Sequence, residues 1–194
     1  MIRLYYKTHF ETKIENLLLA NGILDPSDLT IENLAHVFNI KVVYMPDVCE
    51  SAIWDDQCSV IFLDSNKTLP EQREVFFHEL VHLLLHSGDQ VRMLDDFREL
   101  QEWQAKNFQL YAAMPFYMIK EIELPNEESW IIYILSDVFY VTFSLAEARW
   151  KQIKRRIYFS LSQNNPTHHV RSRIWSIKTL NKSDKPYYQS GALA

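Results

Sequence analysis

The segment His78-Glu79-Leu80-Val81-His82 carries residue types that can hold a metal ion and activate water. On a helix, residues four apart lie on one face with Cβ atoms roughly 5–6 Å apart, so both imidazoles can bind one ion. Glu79 is rotated by about 100° from His78 and can reach a water molecule beside the ion without being a ligand. The pattern predicts metal-assisted hydrolysis, in which the metal lowers the pKa of the water and Glu79 accepts its proton.

The residues around this motif favour a metal over a chance arrangement. The motif lies inside an otherwise apolar helical segment, with Val75-Phe76-Phe77 before it and Leu83-Leu84-Leu85 after it. Imidazoles and a carboxylate buried among such residues cost free energy unless a partner compensates them, and a bound ion is such a partner. The alternative is that three polar side chains share a helix by chance and form hydrogen bonds at the surface. The apolar surroundings favour the metal site.

A catalytic zinc ion usually has three protein ligands and one open position. The third ligand must come from downstream of the motif, and spacing alone does not choose among four acidic residues, Asp95, Asp96, Glu99 and Glu102. A neighbouring helix could present Glu99 or Glu102 toward the motif, whereas the two aspartates lie near the start of that helix. Similar ligand sets also bind manganese or iron, so the residue types do not determine the metal.

Other histidines and aspartates are candidates for supporting roles. His86 lies four residues beyond His82 and could be a fourth ligand, which would close the site and make it structural. We expect it instead to support a ligand or the helix end, because a cationic side chain is favoured at a helix C-terminus. Asp64 and Asp89 flank the motif helix and could orient a ligand histidine through its second ring nitrogen. The pair His168-His169 is assigned to the C-terminal tail.

Hydrophobic periodicity predicts a mostly helical chain with a small sheet before the motif helix. The predicted elements are strands at 40–45, 51–54 and 58–63 and helices at 7–21, 30–38, 70–86 and 96–113, with two more within 129–156, broken around 141–143. Pro70 suits the first turn of the motif helix, and Ser87-Gly88 ends it. We expect the strand 58–63 to hold an extended substrate at the sheet edge. A buried core strand is the alternative.

Length and composition suit one domain with a small appendage. The chain has 194 residues, of which 47% are hydrophobic and only 3 are glycine, which argues for a helix-rich protein. The net charge of −5 hides an asymmetry, because residues 1–148 hold 10 Lys and Arg against 24 Asp and Glu, whereas residues 149–194 hold 10 against Asp184 alone. A basic C-terminal region indicates contact with nucleic acid, with an acidic partner or with the acidic body itself, or else a solvated tail.

Two features lead us to expect a cytoplasmic protein. No stretch of about 18 apolar residues is present, so we expect no membrane span, and residues 1–7 lack the apolar run of a secretory signal. Cys49 and Cys58 are the only cysteines. We expect both to be reduced core residues, because two thiols make no disulfide framework.

Longer stretches extend the motif and carry a family resemblance. They are His-Glu-Leu-Val-His-Leu-Leu-Leu-His at 78–86, Glu-Trp-Gln-Ala-Lys-Asn-Phe at 102–108 and Ala-Ala-Met-Pro at 112–115. Together they resemble the ImmA/IrrE metallopeptidases, and the resemblance continues upstream at 29–42 and downstream at 135–149. Lys106 stands where asparagine is usual, and Gln109-Leu110 where two small residues are usual. These departures affect packing beside the site rather than the ligands.

The resemblance implies that Glu102 is the third zinc ligand beside His78 and His82, with Glu79 as the catalytic residue. It implies an α+β, mostly helical fold with a zincin-like metallopeptidase core at 1–125, in which a small three-stranded sheet lies beside the motif helix. A helix-turn-helix-like helical subdomain is expected at 126–157, and a basic tail at 158–194.

The predicted function is that of a zinc metalloendopeptidase. The resemblance implies site-specific cleavage of a helix-turn-helix transcriptional repressor of a phage, mobile element or stress regulon. One alternative is a non-catalytic zinc-fold regulator that binds DNA or a repressor through its basic C-terminal region. Another is a structural zinc domain in which His86 completes the ligand shell.

The segment 135–153 is a weak candidate for reading DNA bases. A recognition helix needs exposed polar residues in its first turn, whereas this one offers few, and Glu147 would repel phosphate. Its basic end could still receive an acidic protein or a phosphate backbone through five cations, Arg149, Lys151, Lys154, Arg155 and Arg156.

Overall fold

The computed structural model describes residues 2–54, 58–85 and 95–163, which form a mostly helical α+β protein, as the sequence predicted. The helices are α1 (His9–Ala20), α2 (Ile31–Val37), α3 (Leu69–Leu85), α4 (Asp95–Ala113), α5 (Phe116–Ile119), α6 (Glu128–Phe139) and α7 (Phe143–Gln163). The strands are β1 (Lys41–Met45), β2 (Ser51–Trp54) and β3 (Ser59–Asp64). The short helix α5 was not predicted.

Helix α1 begins and ends where local chemistry dictates. The Thr8 hydroxyl accepts a hydrogen bond from the backbone N–H of Glu11 at 3.1 Å, which satisfies a donor that the first turn leaves unpaired. Gly22, at φ 76°, takes the left-handed conformation, and the N–H of Ile23 then donates to the carbonyl of Leu18. Within the helix that these caps delimit, Leu18 and Glu11 both face the interior.

The sheet has the order β1-β3-β2. Strand β1 runs parallel to β3, with Val42 opposite Ile61, and β2 runs antiparallel to β3, with Ala52 opposite Ile61. The prediction that residues 58–63 form a substrate-binding edge is therefore wrong, because β3 has a neighbour on both sides. Burial explains this position, since Ile61 and Leu63 of β3 are fully buried in the core. Among the described strands, β1 and β2 each pair only with β3 and so have an unpaired outer edge.

Helix α3 packs against both the sheet and α4, and this packing positions the motif. Its apolar face buries Phe76, Phe77, Leu80 and Val81 completely. The first six residues of α4, 95–100, are exposed, whereas Gln101 and Ala105, one turn apart on the same helix, are buried. The part of α4 that lies against α3 therefore starts at about Gln101.

The predicted break around 141–143 is confirmed. Tyr140 adopts the left-handed conformation at φ 53° after α6 ends, and the Thr142 hydroxyl accepts from the N–H of Leu145 at 3.2 Å to begin α7. Helix α7 continues to Gln163, past the expected boundary at 157. One buried hydrophobic cluster runs from Ile14 to Ile157, so the described parts of the core and of the helical segment share it. The division into separate units stays a prediction.

Four cations of α7 form ion pairs within the protein, and two of these, Arg149 and Arg156, are buried rather than part of the expected basic surface. Arg149 is fully buried and pairs with Glu11 at 2.6 Å, and Arg156 pairs with the same carboxylate. Lys154 pairs with Glu128, and Lys151 pairs with Glu147 at 2.8 Å. These residues therefore contact the acidic body, and contact of the basic region with nucleic acid or with an acidic partner stays a prediction. Residues 164–194 lie outside the described residues.

Two further predictions concern the cysteines and membrane-spanning helices. Cys49 and Cys58 form no disulfide with each other, and both are exposed rather than in the core, because they lie in the segments just before β2 and β3. No single helix in the described ranges is long and apolar enough to cross a membrane. The pair α6 and α7, bent by 118°, passes that test by length and composition only.

Candidate metal centre

Three side chains from two helices converge at one point. The Nε2 atom of His78 lies 3.3 Å from Oε2 of Glu102, and Nε2 of His82 lies 3.8 Å from Oε1 of the same carboxylate. One donor atom from each residue lies within 4.8 Å of the others. The rings of His78 and His82 have centroids 5.3 Å apart, as expected for residues four apart on α3.

Only Glu102, of the four acidic candidates, joins the two histidines. No second group of three possible metal donors occurs in the described ranges, and this group contains neither Asp95, Asp96 nor Glu99. Asp95 instead pairs with Arg98 at 2.6 Å. The reason is the packing of α4, since residues 95–100 precede the part of the helix that lies against α3.

The chemistry and spacing of these donors fit a divalent metal ion. Zinc binds imidazole nitrogen and carboxylate oxygen at roughly 2.0–2.2 Å. The separations of 3.3 and 3.8 Å between each imidazole and the carboxylate are shorter than twice that distance, so each of these pairs can share one ion. The side chains of His82, His78 and Glu102 are 5%, 25% and 40% exposed. The group is therefore buried on the His82 side and open to solvent on the Glu102 side, which leaves room for a further ligand.

Of the residues predicted to support the metal site, only Asp64 lies in the part of the chain that the structure describes. Asp64 is used in the turn after β3, where its Oδ1 accepts hydrogen bonds from the backbone N–H groups of Asp47 and Asn66. His86, Asp89 and the pair His168-His169 lie outside the described residues. Their roles stay predictions.

Glu79 lies beside the three donors and is held by the sheet. The backbone N–H of Ala52 in β2 donates a hydrogen bond to its carboxylate. Burial raises the pKa of Glu79 to about 7, and the negative charges of Glu102 and Glu50 add to this effect, while the Ala52 hydrogen bond opposes it. A carboxylate with a pKa near neutrality can accept a proton and give it up again.

A cleft of about 430 Å³ opens beside the donors. Its lining includes His78 and Glu79 together with Glu50, Lys67, Glu71, Glu74, Val75 and Gln109. Lys67 forms an ion pair with Glu50 on the strand side of the cleft. On the helix side, the side-chain amide of Gln109 donates to the backbone carbonyl of Glu74 at 2.6 Å.

Sequence reasoning missed four residues around the site, namely Glu50, Ala52, Lys67 and Gln109. Ala52 acts through its backbone, and Glu50 and Lys67 are ordinary surface residue types, so nothing in the sequence marked them. The sequence did mark Gln109, because it stands next to the family motif at a position where a small residue is usual. The structure shows that this replacement ties α4 to α3 at the edge of the cleft.

Comparisons with known proteins show which family this chain resembles. The family model of the IrrE N-terminal-like domain, a peptidase family, matches residues 35–151, which is more than half of the chain. The phage-like element PBSX protein XkdA of Bacillus subtilis is 34% identical over 151 residues, covering 78% of this chain and 76% of that protein. The uncharacterized protein YqaB of Bacillus subtilis is 30% identical over 153 residues, covering 79% and 88%. The region matched by the family model contains the sheet, α3 and α4.

Proposed function

This chain belongs to the peptidase family of the IrrE N-terminal-like domain, and from that premise we propose that it is a zinc-dependent endopeptidase. The observation that carries the proposal is the convergence of His78, His82 and Glu102 within 4.8 Å, with Glu79 beside them. Two imidazoles and one carboxylate form a known ligand set of catalytic zinc sites, which keep one position open.

Each residue has a distinct role in the proposed reaction. His78, His82 and Glu102 would hold the ion. When bound, zinc lowers the pKa of a water molecule and polarises the scissile carbonyl. The carboxylate of Glu79 accepts the proton of the attacking water and then passes it to the nitrogen of the departing amine. The hydrogen bond from Ala52 keeps that carboxylate oriented between these two transfers.

We assign substrate binding to the outer edge of β2. The backbone N–H of Ala52 donates to the Glu79 carboxylate, so β2, an edge strand of the described sheet, lies beside the catalytic group. An extended peptide can add to an open strand edge through backbone hydrogen bonds. A peptide paired with β2 would pass directly in front of Glu79 and His78, along the cleft that both residues line.

The proposed substrate is a helix-turn-helix repressor of a phage, mobile element or stress regulon. The name of the relative XkdA, a protein of a phage-like element, supports a setting of this kind. The test is incubation of the zinc-loaded protein with the repressor encoded beside its gene. We expect cleavage at one peptide bond, identified by mass spectrometry of the two fragments. A repressor that stays intact with equimolar enzyme would overturn the proposed substrate.

The alternative function is a non-catalytic regulator that binds DNA through the basic C-terminal region. Its support is weaker, because Arg149 and Arg156, two of the five cations considered for it, are buried in ion pairs with Glu11. Salt-dependent DNA binding without any proteolysis would favour this alternative over the endopeptidase.

A further inference from the structure

A second cavity, of about 510 Å³, lies where the N-terminal segment, α4 and α7 meet. It shares no lining residue with the cleft beside the metal donors. Its volume falls in the range of small-molecule sites, about 300–1,000 Å³. Neither the proposed peptidase activity nor the family resemblance assigns it a role.

Five of the ten residues that line the cavity are aromatic. Tyr6, Trp103 and Phe159 all line it and are all exposed to solvent, although each is a large apolar side chain. Deeper in the cavity, Phe10 and Tyr111 meet edge to face with ring centroids 6.1 Å apart. Exposed aromatic side chains that converge on one cavity offer flat faces on which a planar ring can stack.

The floor of the cavity carries an excess of positive charge. Arg149 and Arg156 both pair with Glu11, so two guanidinium groups share one buried carboxylate. The other groups in this network are neutral: they are Tyr5, whose pKa burial raises, Tyr111, Asn107 and Gln152. Arg156 lines the cavity itself. Burial of one uncompensated positive charge favours an anion nearby.

Arg155 adds a second cation at the mouth of the cavity. It is exposed and lines the cavity beside Arg156. Among the described residues it has no hydrogen-bond or ion-pair partner, in contrast to its neighbours Lys151 and Lys154. A guanidinium group binds phosphate through two parallel N–H donors and also stacks on aromatic rings.

We propose that this cavity binds a nucleotide, with the base stacked among Tyr6, Trp103 and Phe159 and the phosphate on Arg155. The combination of aromatic faces with an unpaired guanidinium matches both halves of a nucleotide, whereas an apolar ligand would leave the charge unused. Trp103 directly follows Glu102 on α4, so the bound nucleotide contacts the helix that supplies the carboxylate donor.

Calorimetric titration of the full chain with AMP tests the proposal. We expect one AMP per chain and at least about tenfold weaker binding of adenosine, because a charge-assisted phosphate contact contributes about 1.5–3 kcal/mol. Arg155→Gln should weaken AMP binding by a similar factor. Trp103→Ala should weaken it at least about fivefold through the lost stacking.

Matched controls separate the site from general effects. Lys151→Gln removes an exposed cation of α7 that does not line the cavity, and Trp130→Ala removes an exposed tryptophan of α6. Both should bind AMP as the unmodified protein does. A four-nucleotide single-stranded DNA in a parallel titration shows whether the nucleotide is bound free or as part of a strand.

Two results would overturn the proposal. One is that neither AMP nor the oligonucleotide binds at millimolar concentration. The other is that Arg155→Gln and Lys151→Gln weaken binding equally, which would indicate non-specific attraction to a basic helix. All four substituted residues are exposed, so circular dichroism and urea unfolding can verify that the variants fold.

Discussion

The carboxylate of Glu79 on α3 accepts a hydrogen bond from the backbone N–H of Ala52 on β2. This contact joins the proposed catalytic base to the strand whose outer edge we assign to the substrate. The base is thus held by the same element that would align the peptide, which ties proton transfer to correct peptide placement.

The substitution Glu79→Gln should abolish most proteolysis while leaving the metal bound. Glutamine keeps the size of the side chain but cannot accept a proton, and general-base catalysis contributes about 10²–10⁴-fold in rate. The measurements are the rate of repressor cleavage and the zinc content of the purified variant. Cleavage at the unmodified rate would exclude Glu79 as the base.

Removing Glu102 should weaken metal binding, whereas removing Glu99 should not. Glu102→Ala deletes a direct metal donor. Loss of an outer residue that only supports a ligand lowers metal affinity by roughly 10–100-fold, so we expect this variant to lose at least that much affinity. Glu99→Ala, on the exposed first part of the same helix, is the matched control. A chelator competition titration measures both affinities, and equal affinities would remove Glu102 from the site.

Zinc should raise the thermal stability of the unmodified protein. A ligand that binds the folded state at about 100 times its Kd contributes about 2.7 kcal/mol. The double variant His78→Ala, His82→Ala should show no increase in Tm with zinc. Parallel titrations with manganese and iron identify the preferred metal, and an equal Tm increase in the double variant would place the zinc elsewhere.

The substitution Glu11→Gln should strongly destabilise the fold. It leaves the buried guanidinium groups of Arg149 and Arg156 without a carboxylate, and breaking a buried ion pair costs about 3–5 kcal/mol. Glu147→Gln breaks an exposed pair with Lys151 and should cost at most about 1 kcal/mol. Urea unfolding compares the two variants, and similar losses would show that the buried network contributes little.

Stability should fall in acid because of the same carboxylate. Burial by itself raises the pKa of Glu11, but the Arg149 guanidinium, the Tyr5 hydroxyl and the Arg156 charge outweigh it, so the pKa lies below its usual value. The folded state then binds this proton more weakly than the unfolded state does. The contribution of Glu11 is complete above its ordinary pKa of about 4.3 and is lost as the pH falls below that value.

Urea unfolding at several pH values between about 6 and 3 measures this loss. The Glu11→Gln variant lacks the titrating group, so its free energy of unfolding should fall less steeply over the same range. Parallel pH profiles for the variant and the unmodified protein would contradict the assignment to Glu11.

Local patterns in the sequence predicted the elements well. The helix carrying His78 and His82, the break around 141–143 and the three strands all occur close to their expected bounds. Each depends on residues within a few positions of one another. Their spacing, caps and breakers are therefore visible in a single sequence.

Nonlocal relationships were predicted less well. Residue spacing alone did not choose between Glu99 and Glu102, because the choice depends on where α4 begins to pack against α3; the family resemblance pointed to Glu102. The strand 58–63 was assigned to an edge, although strand order is decided by the whole sheet. Arg149 was expected at the surface, because its partner Glu11 lies 138 positions earlier in the chain.

The sequence by itself determined that two imidazoles and a carboxylate share a helix, since a four-residue spacing on an α-helix places side chains on one face regardless of the rest of the molecule. Residue spacing left the third donor open, and only the tertiary structure decided which strand faces Glu79 and which arginines are buried. These outcomes depend on packing between segments that are far apart in the chain. Each residue type at these positions is compatible with several tertiary arrangements, and burial of the complete core selects one of them.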